Sequence, residues 1–141
     1  MARRRFSNNM REEGIIMSQI ISTADAPAAI GPYSQAVAAG GLVFTSGQIP
    51  LDPQTGGIVG DTIADQAERV LKNVAAILSA AGTDLNHVVK STCFLADMGD
   101  FAVFNEIYAK YFPACPARSC VAVKTLPKNV LVEVEVVAER A

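Results

Sequence analysis

The stretch TIADQAERVLKNVAAILSAAG, residues 62–82, decides the fold, because it is the longest segment with the periodicity of one amphipathic helix. Thr62 stands where an N-cap is expected, and Gly82 stands where a helix commonly ends. A wide apolar stripe of this kind predicts that the helix packs on a β-sheet. The stripe repeats every three or four residues: Ile63, Ala67, Val70, Leu71, Val74, Ile77, Leu78 and Ala81.

Strand-like segments and a second amphipathic helix flank this first helix. Gly40-Gly41 is a hairpin signal between the first two strands. Both helices are expected on one face of a mixed sheet, which makes a two-layer α+β domain. The predicted strands are 35–39, 42–48, 88–95, 118–123 and 131–137, and the predicted second helix is 100–112.

The first 17 residues differ in composition from the rest of the chain. They are polar and show no helical or strand periodicity, so we expect residues 1–17 to be a flexible leader and 18–141 to form a single domain. Arg11-Glu12-Glu13-Gly14 can be encoded by a purine-rich stretch that resembles a ribosome-binding site. The hypothesis is that the natural protein begins at Met17.

Composition restricts the classes of partner. Half of the residues are apolar and the mean hydropathy is +0.27. Yet no apolar run reaches the ~20 residues that cross a bilayer, so the surplus predicts a subunit interface in a homo-oligomer. The net charge of −2 and the isoelectric point of 5.3 do not favour nucleic acid or an acidic membrane as a partner.

The cysteines and the single histidine show no metal-ligand spacing. Cys93, Cys115 and Cys120 form no CxxC pair, and His87 stands apart from them. We therefore expect reduced thiols, a cytoplasmic protein and no metal site. Cys120 also lacks a histidine partner that would activate it as a nucleophile.

Three charged residues leave both an ordinary structural interpretation and a functional one open. Glu133 and Glu135 share one face of the last strand, which is either a solvated face or the lining of a cleft. Arg118 begins an apolar strand, where an arginine either extends to the surface or offers its planar fork to a carboxylate. The loop residues around Tyr33, and around Ser46 and Gly47, are ordinary turns or places of close backbone approach to a ligand.

Taken in order along the chain, several motifs together resemble one known family. They are APAAIGPYSQ (26–35), SGQIP (46–50), Asn105, PARSCV (116–121), LPK (126–128) and VEVE (132–135). The set is similar to the RidA (YjgF-like) family of reactive-intermediate deaminases, and the similarity extends from about residue 20 to residue 138. Each motif alone is weak, but the combination in register is specific.

The resemblance implies a chorismate-mutase-like fold assembled as a homotrimer, with active sites in clefts between subunits. It implies hydrolysis of reactive enamine and imino acids, namely 2-aminoacrylate, 2-iminopropanoate and 2-iminobutanoate. The products are ammonia and a 2-keto acid, and the role is the removal of damaging metabolites. The substrate is a small imino or enamine acid, and no cofactor is implied.

The resemblance also implies a role for individual residues. Arg118 would hold the substrate carboxylate, and Glu133 would activate the hydrolytic water as a general base. Cys120 would accept a hydrogen bond from the imine nitrogen through its backbone carbonyl. The remaining pocket residues would be Tyr33, Ser46, Gly47 and Asn105.

Two other functions remain as alternatives. Some relatives of this family resemble regulatory or ligand-sensing proteins that bind small keto or imino acids or a transcription regulator. An RNA-cleaving inhibitor of translation is the other, and the acidic isoelectric point disfavours it. The paired Arg118 and Glu133 favour the deaminase.

Overall fold

A mixed six-stranded sheet with two helices on one face forms the body of the molecule. The structure is a computed structural model, and it describes residues 11–12, 15–16 and 18–140. The helices are α1 (Ile63–Ala80) and α2 (Phe101–Tyr111). The strands are β1 (Arg11–Glu12), β2 (Ile15–Ile16), β3 (Gln19–Ile21), β4 (Ala36–Ala39), β5 (Leu42–Thr45), β6 (Val88–Leu95), β7 (Ala117–Ala122) and β8 (Val132–Glu139).

The strand order in the large sheet is β3-β4-β5-β8-β6-β7. Neighbouring strands are antiparallel except β6 and β7, which are parallel and are connected through α2. Parallel neighbours need such a crossover, whereas β4 and β5 are joined by the two-residue turn at Gly40 and Gly41. Both glycines have positive φ, +58° and +79°, as the hairpin prediction requires. The expected two-layer α+β arrangement is confirmed.

Helix α1 follows the prediction closely, because both of its ends carry local signals. Thr62 Oγ1 accepts a hydrogen bond of 3.2 Å from the Asp65 backbone N–H, and Gly82 takes φ +79° after the last turn. The apolar stripe is buried against the β8 residues Val132, Val134, Val136 and Ala138. Burial of that stripe, rather than helix propensity, fixes the helix on the sheet.

The opposite face of the sheet is open. No described helix covers it, and Phe44 and Val121 are 45% and 47% exposed there. Val37 and Val137 flank Phe44 in the strand register and are half-buried. The surplus of apolar residues in the sequence therefore lies partly on this open face.

Some element boundaries differ from the predictions. The second predicted strand, 42–48, ends at Thr45, and the short edge strand β3 was not predicted. Most of the predicted leader, residues 1–17, lies outside the described residues, although β1 and β2 pair antiparallel within it. The domain boundary and the start at Met17 therefore remain predictions. Among the described residues, no helix is both long and apolar enough to cross a membrane.

Candidate functional site

A cleft of about 500 Å³ opens beside β8 on the open face of the sheet. A bulge where β5 leaves β8 shapes its floor. Phe44 is paired with Val137 and Gln48 with Val134, so three residues on one side oppose two on the other. The cleft is lined by Ile30, Tyr33, Thr45, Ser46, Gly47, Ile49, Pro127, Glu133 and Glu135.

The Thr45 side chain replaces a backbone hydrogen bond that is missing between the strands at the bulge. Its Oγ1 accepts a hydrogen bond of 3.0 Å from the buried Val136 backbone N–H. The backbone pairing resumes at Gln48, whose N–H donates to the Val134 carbonyl over 2.8 Å. The bulge thus brings Ser46 and Gly47 to the cleft, and the Val136 N–H beside it is bonded to Thr45.

Gly47 passes directly beside the Glu133 carboxylate. A Cβ atom at Gly47 would lie 2.8 Å from Glu133 Cδ and 3.0 Å from its Oε1. Any other residue would displace the carboxylate, so the requirement for glycine here is close approach rather than an unusual φ.

Glu133 and Glu135 both line the cleft. Burial raises the pKa of the Glu133 carboxyl, and the nearby Glu135 carboxylate raises that pKa further. A carboxylate with a raised pKa is a stronger proton acceptor than an exposed glutamate. Glu133 is therefore suited to general-base chemistry on a bound water.

The loop before β4 forms the opposite wall of the cleft. The Tyr33 hydroxyl accepts a hydrogen bond of 3.2 Å from the Ile30 backbone N–H, and the residue is 46% exposed. Ser46 Oγ donates to the Ser34 carbonyl over 2.6 Å. The buried Gln35 side chain donates to the carbonyls at 26 and 27, which anchors the loop to the body of the domain.

Arg118 lies in a second polar environment, against helix α2. Its Nη1 donates a hydrogen bond of 2.7 Å to Asn105 Oδ1. Its guanidinium carbon lies 4.7 Å from the ring centroid of Tyr108 and 5.4 Å from that of Phe101. Arg118 Nε and Nη2 make no hydrogen bond to any residue that the structure describes, so this edge retains paired donors.

Cys120 follows on the same face of β7 and is half-buried. Burial raises the pKa of its thiol, and Arg118 only partly opposes that effect. Its strand partner Cys93 is fully buried, which raises the pKa of that thiol to about 12. Neither thiol is therefore activated as a nucleophile.

The strand registers divide the predicted site residues between the two faces of the sheet. Arg118 is paired with Ser91, which is paired with Val136, and Val136 is buried on the helix-covered face. Glu133 is paired with Phe94 on the open face. Tyr33, Ser46, Gly47 and Glu133 thus surround one cleft. Arg118, Asn105 and Cys120 lie together on the helix-covered side of the sheet.

Sequence reasoning missed Thr45, Ser91 and Tyr108. Tyr108 lies three residues after Asn105 on α2, so helical spacing alone could have indicated that it faces Arg118. Thr45 and Ser91 gave no such signal, because their roles depend on pairing between distant strands. Within the part of the chain that the structure describes, no three His, Cys, Asp or Glu side chains cluster as metal ligands.

Comparison with known proteins shows the family of this chain. The family model described as Endoribonuclease L-PSP matches residues 23–140. A Lactococcus lactis protein named as a candidate regulator, AldR, is 57% identical over 86% of this chain and 97% of its own. Reactive Intermediate Deaminase A of Arabidopsis thaliana is 52% identical over 87% of this chain and 66% of its own.

A solved structure shares the fold as well. Escherichia coli TdcF with bound serine has a TM-score of 0.83 and 50% sequence identity, and the match covers 87% of this chain and 99% of that one. Identity at this level over most of both chains shows common family membership. The chain belongs to the RidA/YjgF family, whose members match the Endoribonuclease L-PSP model.

Proposed function

We propose that this protein hydrolyses reactive 2-enamine and 2-imino acids to 2-keto acids and ammonia. The substrates proposed are 2-aminoacrylate with its imine 2-iminopropanoate, and 2-iminobutanoate. One observation carries the proposal: a half-buried carboxylate of raised pKa lies in a cleft, in a chain that also holds a guanidinium edge whose paired donors make no hydrogen bond to any described residue. The relatives named reactive intermediate deaminase support the same reaction.

Arg118 binds the substrate in this mechanism. Its Nε and Nη2 donate two parallel hydrogen bonds to the substrate carboxylate, a geometry that lysine cannot reproduce. The Cys120 backbone carbonyl accepts a hydrogen bond from the imine N–H. Together these contacts orient the imine carbon toward the water, and such orientation supplies much of the acceleration for a substrate that already hydrolyses unaided.

Glu133 activates the water. Its carboxylate takes one proton from the water as the oxygen adds to the imine carbon, and it passes that proton to the nitrogen of the tetrahedral adduct. The carboxylate next takes the proton of the adduct's hydroxyl group and transfers it to the nitrogen. The carbonyl forms as the carbon–nitrogen bond breaks, so ammonia leaves and the 2-keto acid remains. An enamine substrate enters the same route after tautomerising to its imine. Tyr33, Ser46, Gly47 and Asn105 shape the pocket, and the chain's own residues suffice for every step.

The site requires more than one subunit, and we propose a chorismate-mutase-like homotrimer with clefts between subunits. Arg118 and Glu133 lie on opposite faces of one sheet, so they come together only if Arg118 of one subunit faces Glu133 of another. The open face offers the apolar surface for that contact, through Val37, Phe44, Val121 and Val137. Closed rings of identical subunits form by such contacts between different surfaces.

A ligand-sensing protein is the second candidate. The 57% identical relative named as a regulator favours it, because a cleft that binds a small keto or imino acid can report its concentration without turnover. The endoribonuclease description of the family model supports a third role. The net charge of −2 is unfavourable for that role, since RNA binding depends on neutralising phosphates.

The decay of 2-iminobutanoate tests the proposal. Threonine dehydratase generates the imine in situ, and its decay is followed with and without this protein. We expect faster decay that is lost in Arg118→Ala and Glu133→Gln but retained in Glu135→Gln. If the folded wild-type protein binds 2-oxobutanoate but does not accelerate the decay, the ligand-sensing function replaces the deaminase.

A further inference from the structure

One face of helix α2 surrounds the Arg118 guanidinium. Phe101, Asn105 and Tyr108 recur at i, i+4 and i+7 on this helix, and all three contact Arg118. Asn105 Oδ1 accepts a hydrogen bond from Arg118 Nη1. The two aromatic rings make cation–π contacts with the guanidinium group. The helix therefore restrains this side chain by both a polar contact and packing.

Tyr108 is itself held firmly in place. Its hydroxyl lies 2.6 Å from Ser91 Oγ, and both residues are buried. Its ring stacks on Phe112 with the centroids 4.3 Å apart. Burial raises the pKa of the Tyr108 hydroxyl, so it stays a neutral hydrogen-bonding group at physiological pH.

Ser91 links this tyrosine to the strand that carries Arg118. Ser91 and Arg118 are direct partners in the parallel β6–β7 register. Ser91 therefore pairs with the Arg118 backbone and also bonds the Tyr108 hydroxyl, whose ring contacts the end of the Arg118 side chain. Movement of the Tyr108 ring relative to Arg118 would break the buried Ser91 hydrogen bond, which is unfavourable without water to replace it.

We propose that Tyr108, held by Ser91, is a positioning residue that fixes the plane of the Arg118 guanidinium and presents its Nε–Nη2 edge to the substrate carboxylate. This inference rests on the proposed function, because it assigns that edge to a carboxylate ligand. Without the Tyr108 ring, the guanidinium group rotates more freely about its terminal torsions. Binding of a carboxylate must then restrict that rotation, which costs entropy. A restrained fork avoids that entropic cost.

Affinity for the product 2-oxobutanoate tests the inference separately from turnover. The dissociation constant is measured by NMR titration of the full-length oligomeric protein, alongside kcat and KM for 2-iminobutanoate. Tyr108→Leu is expected to weaken binding about tenfold, and Tyr108→Phe and Ser91→Ala about two- to threefold each. Ile107→Val, a buried change at the preceding position on α2, should leave affinity unchanged.

The background of Arg118→Ala distinguishes positioning from a general structural role. If Tyr108 acts through Arg118, then Tyr108→Leu causes no further loss of affinity when Arg118 is already alanine. An equal loss in both backgrounds, or unchanged affinity in Tyr108→Leu alone, overturns the inference. Should Tyr108→Leu fail to fold, Tyr108→Phe and Ser91→Ala decide the question in the same two backgrounds.

The proposed function and this inference can fail separately. A wild-type protein that binds 2-oxobutanoate without hydrolysing the imine contradicts the deaminase, while the affinities of the Tyr108 variants still test the positioning role. A wild-type protein that hydrolyses the imine with unchanged constants in the Tyr108 and Ser91 variants contradicts only the positioning role. If the wild-type protein binds no keto acid, the role assigned to the Arg118 edge is wrong.

Discussion

Arg118 and Glu133 lie on opposite faces of one β-sheet. The parallel pairing of Arg118 with Ser91 directs the arginine to the helix-covered face, whereas the antiparallel pairing of Glu133 with Phe94 directs the glutamate to the open face. In the proposed inter-subunit site, one chain would therefore hold half of each of two sites. Its activity would then depend on how the subunits associate.

Mixed oligomers should recover activity that neither parent variant has. When Arg118→Ala and Glu133→Gln subunits are denatured together and refolded at equal concentration, about one quarter of the interface sites combine an intact Arg118 with an intact Glu133. We expect the imine-hydrolysis rate of the mixture to approach about one quarter of the wild-type rate.

The matched control carries both substitutions on one chain and is mixed with wild-type subunits. If the sites form between subunits, about one quarter of them are intact in this mixture as well, whereas sites within single subunits would leave about one half intact. No recovery in the first mixture, together with one half in the second, would contradict the inter-subunit site.

Replacement of Arg118 should separate charge from geometry. Arg118→Ala removes a charge-assisted pair of hydrogen bonds worth about 1.5–3 kcal/mol, which corresponds to a loss in kcat/KM of roughly 10- to 150-fold. Arg118→Lys keeps the charge but loses the fork and the planar contact with Tyr108, so we expect it to recover little of that loss. Steady-state kinetics on 2-iminobutanoate provide the measurement, and full activity in the lysine variant would show that charge alone suffices.

The pH profile should report the interaction between the two cleft glutamates. Glu133 must be deprotonated to accept a proton, and the Glu135 carboxylate raises the pKa of Glu133. Glu135→Gln removes that negative charge, which lowers the pKa of Glu133 and moves the acidic limb of the kcat/KM profile to lower pH. The rate at neutral pH should change less than about threefold, because the proposed base Glu133 is present in both proteins.

Glu139→Gln serves as the control for this profile, since Glu139 is exposed at the end of β8 and does not line the cleft. Its acidic limb should coincide with that of the wild-type protein. A limb that moves to higher pH in Glu135→Gln would mean that the two carboxylates do not interact as described.

Local signals made much of the fold predictable, and long-range pairing made the rest unpredictable. Helix α1 has a cap at Thr62, a stop at Gly82 and a complete apolar stripe, so its bounds followed from the sequence. The three-residue strand β3 has too few positions to show alternation. The strand predicted over 42–48 ended early because a bulge is defined by its partner strand, which local sequence does not identify.

The candidate site shows the same division. The motifs predicted Arg118 and Glu133 as site residues, and strand alternation placed Glu133 and Glu135 on one face. Alternation shows which residues of one strand share a face, but it does not show which residues of the neighbouring strand lie on that same face. The separation of Arg118 from Glu133 therefore required the register of β6 with both β7 and β8.

Gly47→Ala should impair catalysis while leaving the fold intact. The new Cβ would lie 2.8 Å from Glu133 Cδ, and the glutamate side chain is the part that can yield. Rotation of Glu133 would move the proposed base away from the water, so we expect kcat to fall about tenfold or more, because small misplacements of a base are costly. The melting temperature should change by no more than about 3 °C, since the displaced group is partly exposed.

Two comparisons show whether Gly47 acts through Glu133. Gly57→Ala introduces a Cβ with only an ordinary contact, 3.4 Å from Thr55 Oγ1, and should leave kcat unchanged. In the Glu133→Gln background the base is already absent, so Gly47→Ala should cause little further loss of kcat. A full additional loss in that background would mean that the alanine obstructs the substrate itself. Glycine would then be required at position 47 for access to the cleft rather than for the placement of the general base.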